Sequence, residues 1–194
     1  MFKSAFRYFF ALVFRVCFRA KIYGRENLPK NEGFILAGNH VSFLDPIALG
    51  SILPLRVNFM ARHSLFRNPI IGTIISICGS FPVKRGTADI GAIKEAIRRV
   101  KKGGILVVFP EGTRSGNKNF AEPKAGVGFL ASKINAPVVP VFVRGTAEAL
   151  PRSSGFIRFN KVFIYIGKPM RFNENMEYSV IAERVMAGIA ELAC

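Results

Sequence analysis

The chain has 194 residues, enough for one domain with a sizeable buried core. Half of its residues are hydrophobic, phenylalanine is used 19 times, and 28 Lys and Arg against 12 Asp and Glu leave a net charge of +16. That charge admits three kinds of partner, nucleic acid, anionic lipid or a small anionic substrate, while the odd, widely spaced Cys17, Cys78 and Cys194 exclude a disulfide framework and predict a reducing compartment.

Residues 1–25 carry Lys3, Arg7, Arg15, Arg19, Lys21 and Arg25 with no acid. The longest uncharged run, Tyr8 to Phe14, sits at the bottom of the roughly 7–15 residues a signal-peptide core needs, and no cleavage site follows before Lys21. Arg7 and Arg15 also interrupt the roughly 20 apolar residues of a spanning helix. At about 100° per residue, Lys3, Arg7, Arg15 and Arg19 fall on one half of a helix, and Phe6, Phe9, Phe10, Leu12, Val13 and Val16 on the other. Two readings are open. One is an interfacial helix with a basic face for anionic headgroups. The other is a helix packing its apolar face on the domain.

Beyond Gly33 short apolar runs alternate with helical patterns. Phe34–Ala37 is predicted as a strand ending at Gly38-Asn39-His40. Asp45-Pro46 looks like an N-cap with proline at the first helical position, opening a helix to about Ile52. Val57–Met60 is predicted as a strand, Pro69–Cys78 as a buried helix or a piece that dips toward lipid, and Phe81–Val83 as a short strand. Thr87 or Asp89 caps a helix to Lys102 that Gly103-Gly104 stops. Ile105–Phe109 and Pro137–Val143 read as buried strands around a short helix, Val127–Ile134. Phe156–Ile166 is strand-like, and Ser179–Leu192 is an amphipathic helix. The alternation predicts an α/β fold: a single domain, residues 24–194, with a mixed, largely parallel sheet flanked by helices, preceded by an amphipathic membrane-surface helix over residues 1–23.

Three segments carry chemistry. In Asn39-His40-Val41-Ser42-Phe43-Leu44-Asp45 a histidine at a strand end is followed five residues on by an acid. An imidazole, with a reference pKa of about 6.5, can take a proton from an alcohol near neutral pH, and a carboxylate on its far nitrogen fixes the tautomer. The pair needs a turn, since a continuous helix sets the two residues roughly 140° apart. The plainer alternatives are a hydrogen-bonded loop histidine and an aspartate that only caps a helix. Phe109-Pro110-Glu111-Gly112-Thr113-Arg114-Ser115 follows a buried strand, where ligands bind in open α/β sheets and an arginine can clamp a phosphate. Gly79-Ser80-Phe81-Pro82-Val83-Lys84-Arg85 presents two cations at another strand end. Both sets of cations also fit solvated loops. With only His40 and His63 as histidines, no zinc site is expected.

In this order the segments resemble the glycerolipid acyltransferase family that includes bacterial 1-acylglycerol-3-phosphate O-acyltransferases. Residues 39–45 are similar to its histidine–aspartate block, 79–85 to its second block and 109–115 to its third. Val139-Pro140-Val141 is similar to its fourth, and Pro123-Lys124-Ala125-Gly126 to the lysine–x–glycine stretch between them. The likeness runs from about Gly24 to Pro169. It implies that His40 is the general base for the acceptor hydroxyl, with Asp45 orienting it, and that the hydroxyl attacks an acyl thioester directly. It also implies an acceptor site built from Arg85, Glu111, Gly112, Thr113 and Arg114, the arginines on a phosphate, with Lys124 assisting. The family's lysine–x–glutamate–leucine stretch reads Arg62-His63-Ser64-Leu65 here, so the cation is kept as Arg62 and the acid is lost.

The resemblance therefore implies acyl transfer to the 2-hydroxyl of lysophosphatidic acid, giving phosphatidic acid, or to another lysolipid acceptor. The donor would be acyl-CoA or acyl carrier protein, with no cofactor, at a bilayer surface on the cytoplasmic face of the cell membrane. A nucleic-acid partner is not expected, because the basic residues share segments with apolar runs and no glycine–aromatic RNA-binding signature is present. The intact histidine–aspartate block argues against a silent scaffold.

Overall fold

The computed structural model describes residues 2–53, 56–84, 89–114, 120–151 and 156–194. Seven strands form one sheet: β1 (Lys21–Tyr23), β2 (Phe34–Gly38), β3 (Val57–Arg62), β4 (Ser80–Val83), β5 (Ile105–Val108), β6 (Val138–Arg144) and β7 (Phe163–Ile166), in the order β1-β7-β6-β2-β5-β3-β4. β6, β2, β5, β3 and β4 are mutually parallel, while β7 is antiparallel to β6 and carries β1 parallel to itself. The sheet is thus mixed and largely parallel, as expected.

Parallel strands covered on both faces read as continuous apolar runs, and Phe34-Ile35-Leu36-Ala37 is one, each residue at most 1% exposed. Its side chains alternate between two cores. Phe34 and Leu36 face α1 (Phe2–Cys17) and α2 (Asp45–Gly50), packing with Phe14, Phe18, Leu49 and Ile52. Ile35 and Ala37 face α4 (Ile90–Lys101), α5 (Ala125–Ile134) and α7 (Tyr178–Glu191), packing with Ala96, Leu130, Ile181 and Val185. α3 (Pro69–Ile77) links β3 to β4, and the short α6 (Thr146–Ala149) follows β6.

Several elements depart from the sequence-based expectations. The N-terminal helix ends at Cys17, and residues 21–23 form β1, hydrogen-bonded in the sheet beside β7. α1 buries Ala11 and Phe14, with Arg7 and Arg15 part-buried beside them and Lys3 and Arg19 exposed. The half-buried Arg7 donates from Nε to Ile77 O (2.7 Å) at the end of α3, and Arg15 donates to Ser51 O and Ile52 O at the end of α2. Helix ends leave carbonyls without intrahelical partners, and guanidinium donors satisfy them. Burial pushes both guanidiniums below their ordinary range. Phe9, Phe10, Leu12, Val13 and Val16 are left on the outside.

α3 is not a buried helix, since only its Gly72 is buried and Ile70, Ile71 and Ile74 are exposed. The strand expected over 156–166 shrinks to Phe163–Ile166. Its ladder with β6 begins at the Arg144–Phe163 pair, after which Gly145 turns the neighbouring chain away. Asp89 caps α4, accepting from Ala92 N at 3.0 Å; Thr87 lies outside the described residues. No described helix is long and apolar enough to cross a membrane.

Candidate active site

β2 and β5 are neighbours, yet the chain leaves them in opposite directions across the sheet: β2 connects to β3 on one side, β5 to β6 on the other. Such a reversal opens a crevice beyond the carboxyl ends of the two strands, where ligands bind in open α/β sheets. His40 follows β2 and the segment Phe109–Arg114 follows β5, so the first and third blocks face each other across it.

The histidine loop is held from below. As β2 turns away, the Asn39 side-chain amide continues the ladder to β6, donating to Val143 O (3.0 Å) and accepting from Val143 N (2.7 Å). The turn needed between His40 and Asp45 is present and is built by the aspartate itself. Asp45, 0% exposed, accepts at Oδ2 from the N–H groups of Val41 and Ser42 (2.7 Å each) and lies 3.0 Å from His40 Nδ1. Its Oδ1 accepts from Thr146 Oγ1 at 2.6 Å. The expected N-cap is therefore not formed. Asp45 is the first residue of α2 and its oxygens point back to the loop, because that loop supplies more donors than the helix end. An ionised carboxylate accepting from the Nδ1–H puts the basic lone pair of the imidazole on Nε2. The ring is 17% exposed and stacks on Phe109, with centroids 4.1 Å apart.

Glu111, expected in the acceptor site, is buried and bonded to backbone on both sides. It is 1% exposed, and its oxygens accept from His40 N (2.8 Å) and Ala121 N (3.2 Å). It ties the loop after β5 to the backbone of the histidine. Gly112 sits at φ +69° in the turn that follows, a conformation open to glycine; Gly112 and Thr113 are exposed there. The Lys124 side chain lies near: a Cβ on Gly112 would meet Lys124 Cγ at 3.3 Å. Arg114 reaches the histidine loop, its guanidinium carbon 3.6 Å from the centroid of the Phe43 ring. Arg62 is exposed at the end of β3, one strand beyond β5, and Lys84 follows β4. Arg85 lies outside the described residues.

Thr146 was not found from sequence, for it is 101 residues from Asp45 and no local pattern marks it. It is buried and placed by Gly145 at φ +96°, where a Cβ would meet Lys161 O at 2.1 Å. A separate hollow of about 450 Å³ opens between the ends of β3 and β4 and the start of α4, lined by His63, Phe81, Pro82, Lys84 and Asp89 among others. Among the described residues no three His, Cys, Asp or Glu side chains gather as metal ligands.

A family model described as Acyltransferase matches residues 19–144, which include both halves of this crevice. The chain belongs to the acyltransferase family. It is 35% identical over 151 residues to the 1-acyl-sn-glycerol-3-phosphate acyltransferase of Bacillus subtilis, covering 77% of this chain and 73% of that protein. It is 32% identical over 178 residues to a chloroplastic 1-acyl-sn-glycerol-3-phosphate acyltransferase of Arabidopsis thaliana, covering 90% of this chain but 49% of that one. The crystal structure of the 1-acyl-sn-glycerophosphate acyltransferase of Thermotoga maritima superposes with a TM-score of 0.76 at 28% identity, over 99% of this chain and 81% of the other. The chain thus spans most of its bacterial relatives' folded length in these two cases and about half of the plant protein. In this acyltransferase the histidine–aspartate segment and residues 109–114 lie at the ends of the neighbouring strands β2 and β5.

Proposed function

We propose that this acyltransferase moves a fatty acyl group from a thioester to the 2-hydroxyl of 1-acylglycerol 3-phosphate, giving phosphatidic acid. The observation that carries the reading is the His40–Asp45 pair at the β2/β5 crevice, with Arg114 stacked on the same loop. His40 Nε2 takes the hydroxyl proton as the oxygen attacks the thioester carbonyl. The tetrahedral intermediate collapses, the C–S bond breaks, and the imidazolium returns the proton to the departing thiolate. Asp45 holds the ring and its charge throughout, so no acyl-enzyme and no cofactor are needed. Anchoring the phosphate is what places the alcohol, and fixed placement of this kind can supply much of the rate. Arg114 and Arg85 are assigned to that phosphate, with Arg62 and Lys124 assisting.

The acceptor is a lipid, so the enzyme is assigned to the surface of a bilayer, on the cytoplasmic face. The exposed Phe9, Phe10, Leu12, Val13 and Val16 of α1 supply the apolar contact. Either acyl-CoA or acyl carrier protein suits the chemistry as donor.

The test is a purified-enzyme assay with a panel of lysolipids and both donors, beside His40→Ala. General-base help is worth about 10²–10⁴ in rate, so the variant should keep less than a tenth of the activity with an unchanged melting curve. Turnover retained by His40→Ala would refute the base role. Equal use of a lysophospholipid or aminolipid acceptor would move the assignment to that lysolipid class.

A further inference from the structure

Phe43 stands between the base and its orienter, and its ring is 65% exposed. The backbone on either side of it is fixed. Val41 and Ser42 donate to Asp45, Ser42 Oγ donates to Leu150 O (3.2 Å) and accepts from Leu44 N (3.3 Å), and Leu44 is buried. A large apolar ring is thus held out of the core on a turn that cannot drift. What it meets there is Arg114, whose guanidinium carbon lies 3.6 Å from the ring centroid. Among the described residues no carboxylate pairs with that guanidinium. Stacking uses only the π face of the cation and leaves its N–H groups, which lie in the guanidinium plane, pointing outward for a phosphate. A carboxylate in the same place would consume those donors and cancel the charge.

We infer that Phe43 is a positioning residue: it holds Arg114 at a set distance from His40 and thereby sets affinity for the phosphate-bearing acceptor. His40 and Phe43 share one pinned loop, and Arg114 belongs to the loop after the adjacent strand. The ring therefore ties the two walls of the crevice together and makes the span between base and clamp a property of three residues of backbone. The inference rests on the assignment of Arg114 to the acceptor phosphate.

The experiment compares Phe43→Leu, Phe43→Trp, Arg114→Ala and the Phe43→Leu/Arg114→Ala double variant as full-length protein with matched melting curves. The probe is a short-chain 1-acylglycerol 3-phosphate in detergent micelles, with acyl-CoA and acyl carrier protein thioesters each tried as donor. Phe43→Leu should raise the acceptor KM about 2- to 30-fold, the span of a cation–π contact worth ~0.5–2 kcal/mol, with kcat within about twofold. Phe43→Trp should restore the parent KM, and Phe43→Leu should add nothing once Arg114 is gone. Independent, multiplying effects of the two substitutions would overturn the inference, as would a loss confined to kcat. So would a defect that appears only on vesicles and vanishes in micelles, which would make the ring a membrane contact. If Arg114→Ala left the acceptor KM unchanged, the phosphate clamp itself would fall and Phe43 with it; a raised KM in Arg114→Ala alone would leave the clamp standing and remove Phe43.

Discussion

Asp45→Asn separates an orienting carboxylate from a structural one, and the geometry sets the size of the effect. Four donors converge on Asp45: His40 Nδ1, the N–H groups of Val41 and Ser42, and the Thr146 hydroxyl. An asparagine must place its oxygen where Oδ2 lies, since an NH₂ there would face two backbone N–H groups. Its NH₂ then meets Thr146 Oγ1, which can rotate and accept. The fold keeps its hydrogen bonds, and the histidine keeps its tautomer. Stability should therefore fall by only about 1–2 kcal/mol, or roughly 2–8 °C in Tm for a chain of this size, through exchange of charged for neutral hydrogen bonds. The charge is what is lost. Opposite unit charges about 4 Å apart at an effective dielectric near 20 attract by ~4 kcal/mol, so stabilisation of the developing imidazolium accounts for about 10²–10³ in kcat. In serine proteases the same exchange costs about 10⁴ because the tautomer is also lost, which the Val41 and Ser42 N–H groups prevent here. Melting temperature and turnover are measured on one preparation. A stable, fully active Asp45→Asn would refute the dyad; a stable variant whose loss reaches 10⁴ or more would refute the claim that the two N–H groups hold the tautomer.

Glu111→Gln should lower both Tm and activity, because an amide cannot accept from His40 N and Ala121 N at once; one buried donor left unmade costs about 1–3 kcal/mol. An unchanged Tm with a raised acceptor KM would instead place Glu111 on substrate. Substituting Phe9, Leu12 and Val16 together by serine should leave Tm unchanged and release the protein from anionic vesicles in a sedimentation assay, whereas Phe14→Ala should cost about 3–5 kcal/mol, since Phe14 is 3% exposed in the main core. Retained vesicle binding by the triple variant would remove α1 from the membrane contact. Glu95 is pulled down to about 2 by hydrogen bonds from Arg98 and Arg99. Its folded value is depressed, so its contribution to stability is complete above about pH 4.5 and is lost as the pH falls toward 2. Acid melts of Glu95→Gln should show a shallower decline across that window, and an identical slope would exclude the arginine pair as its cause.

The parallel strands were legible because burial on both faces writes itself as unbroken apolar runs, as in residues 34–37 and 105–108. The site was legible where local order places it, at a strand end followed by a turn. What was hidden depended on partners distant in sequence. Asp45-Pro46 reads as a helix cap, and only the folded loop shows that Val41 and Ser42 compete for the carboxylate. Thr146 has no signature until Gly145 turns it toward Asp45. β1 is three residues long, too short for a period, and exists because β7 offers it an edge. Periodicity also divided α1 into basic and aromatic halves without saying which half faces the protein. The choice lies with carbonyls at the ends of α2 and α3, which no local pattern in residues 1–20 encodes.

That choice matters for the chemistry. α2 is six residues long, Asp45 is its first, and the carbonyls of Ser51 and Ile52 just after it are met by Arg15 and Arg25. One short helix therefore spans from the charged half of α1 to the carboxylate that orients His40. Phe14 of α1 and Phe18 just after it fill the same core as Leu44 and Leu49. α1 is for this reason packed as a wall of the acyltransferase domain, and its Arg7 and Arg15 donate to backbone carbonyls. The outward half that remains is apolar, and Phe43 and Ile47, on the histidine loop and on α2, are exposed as well. An enzyme whose acceptor hydroxyl lies beside a lipid phosphate needs its base at the depth of the headgroups. On the proposed reading, an apolar face on α1 and a base on the loop that α2 anchors would fix that depth through packed contacts, where a flexible linker would leave it to chance.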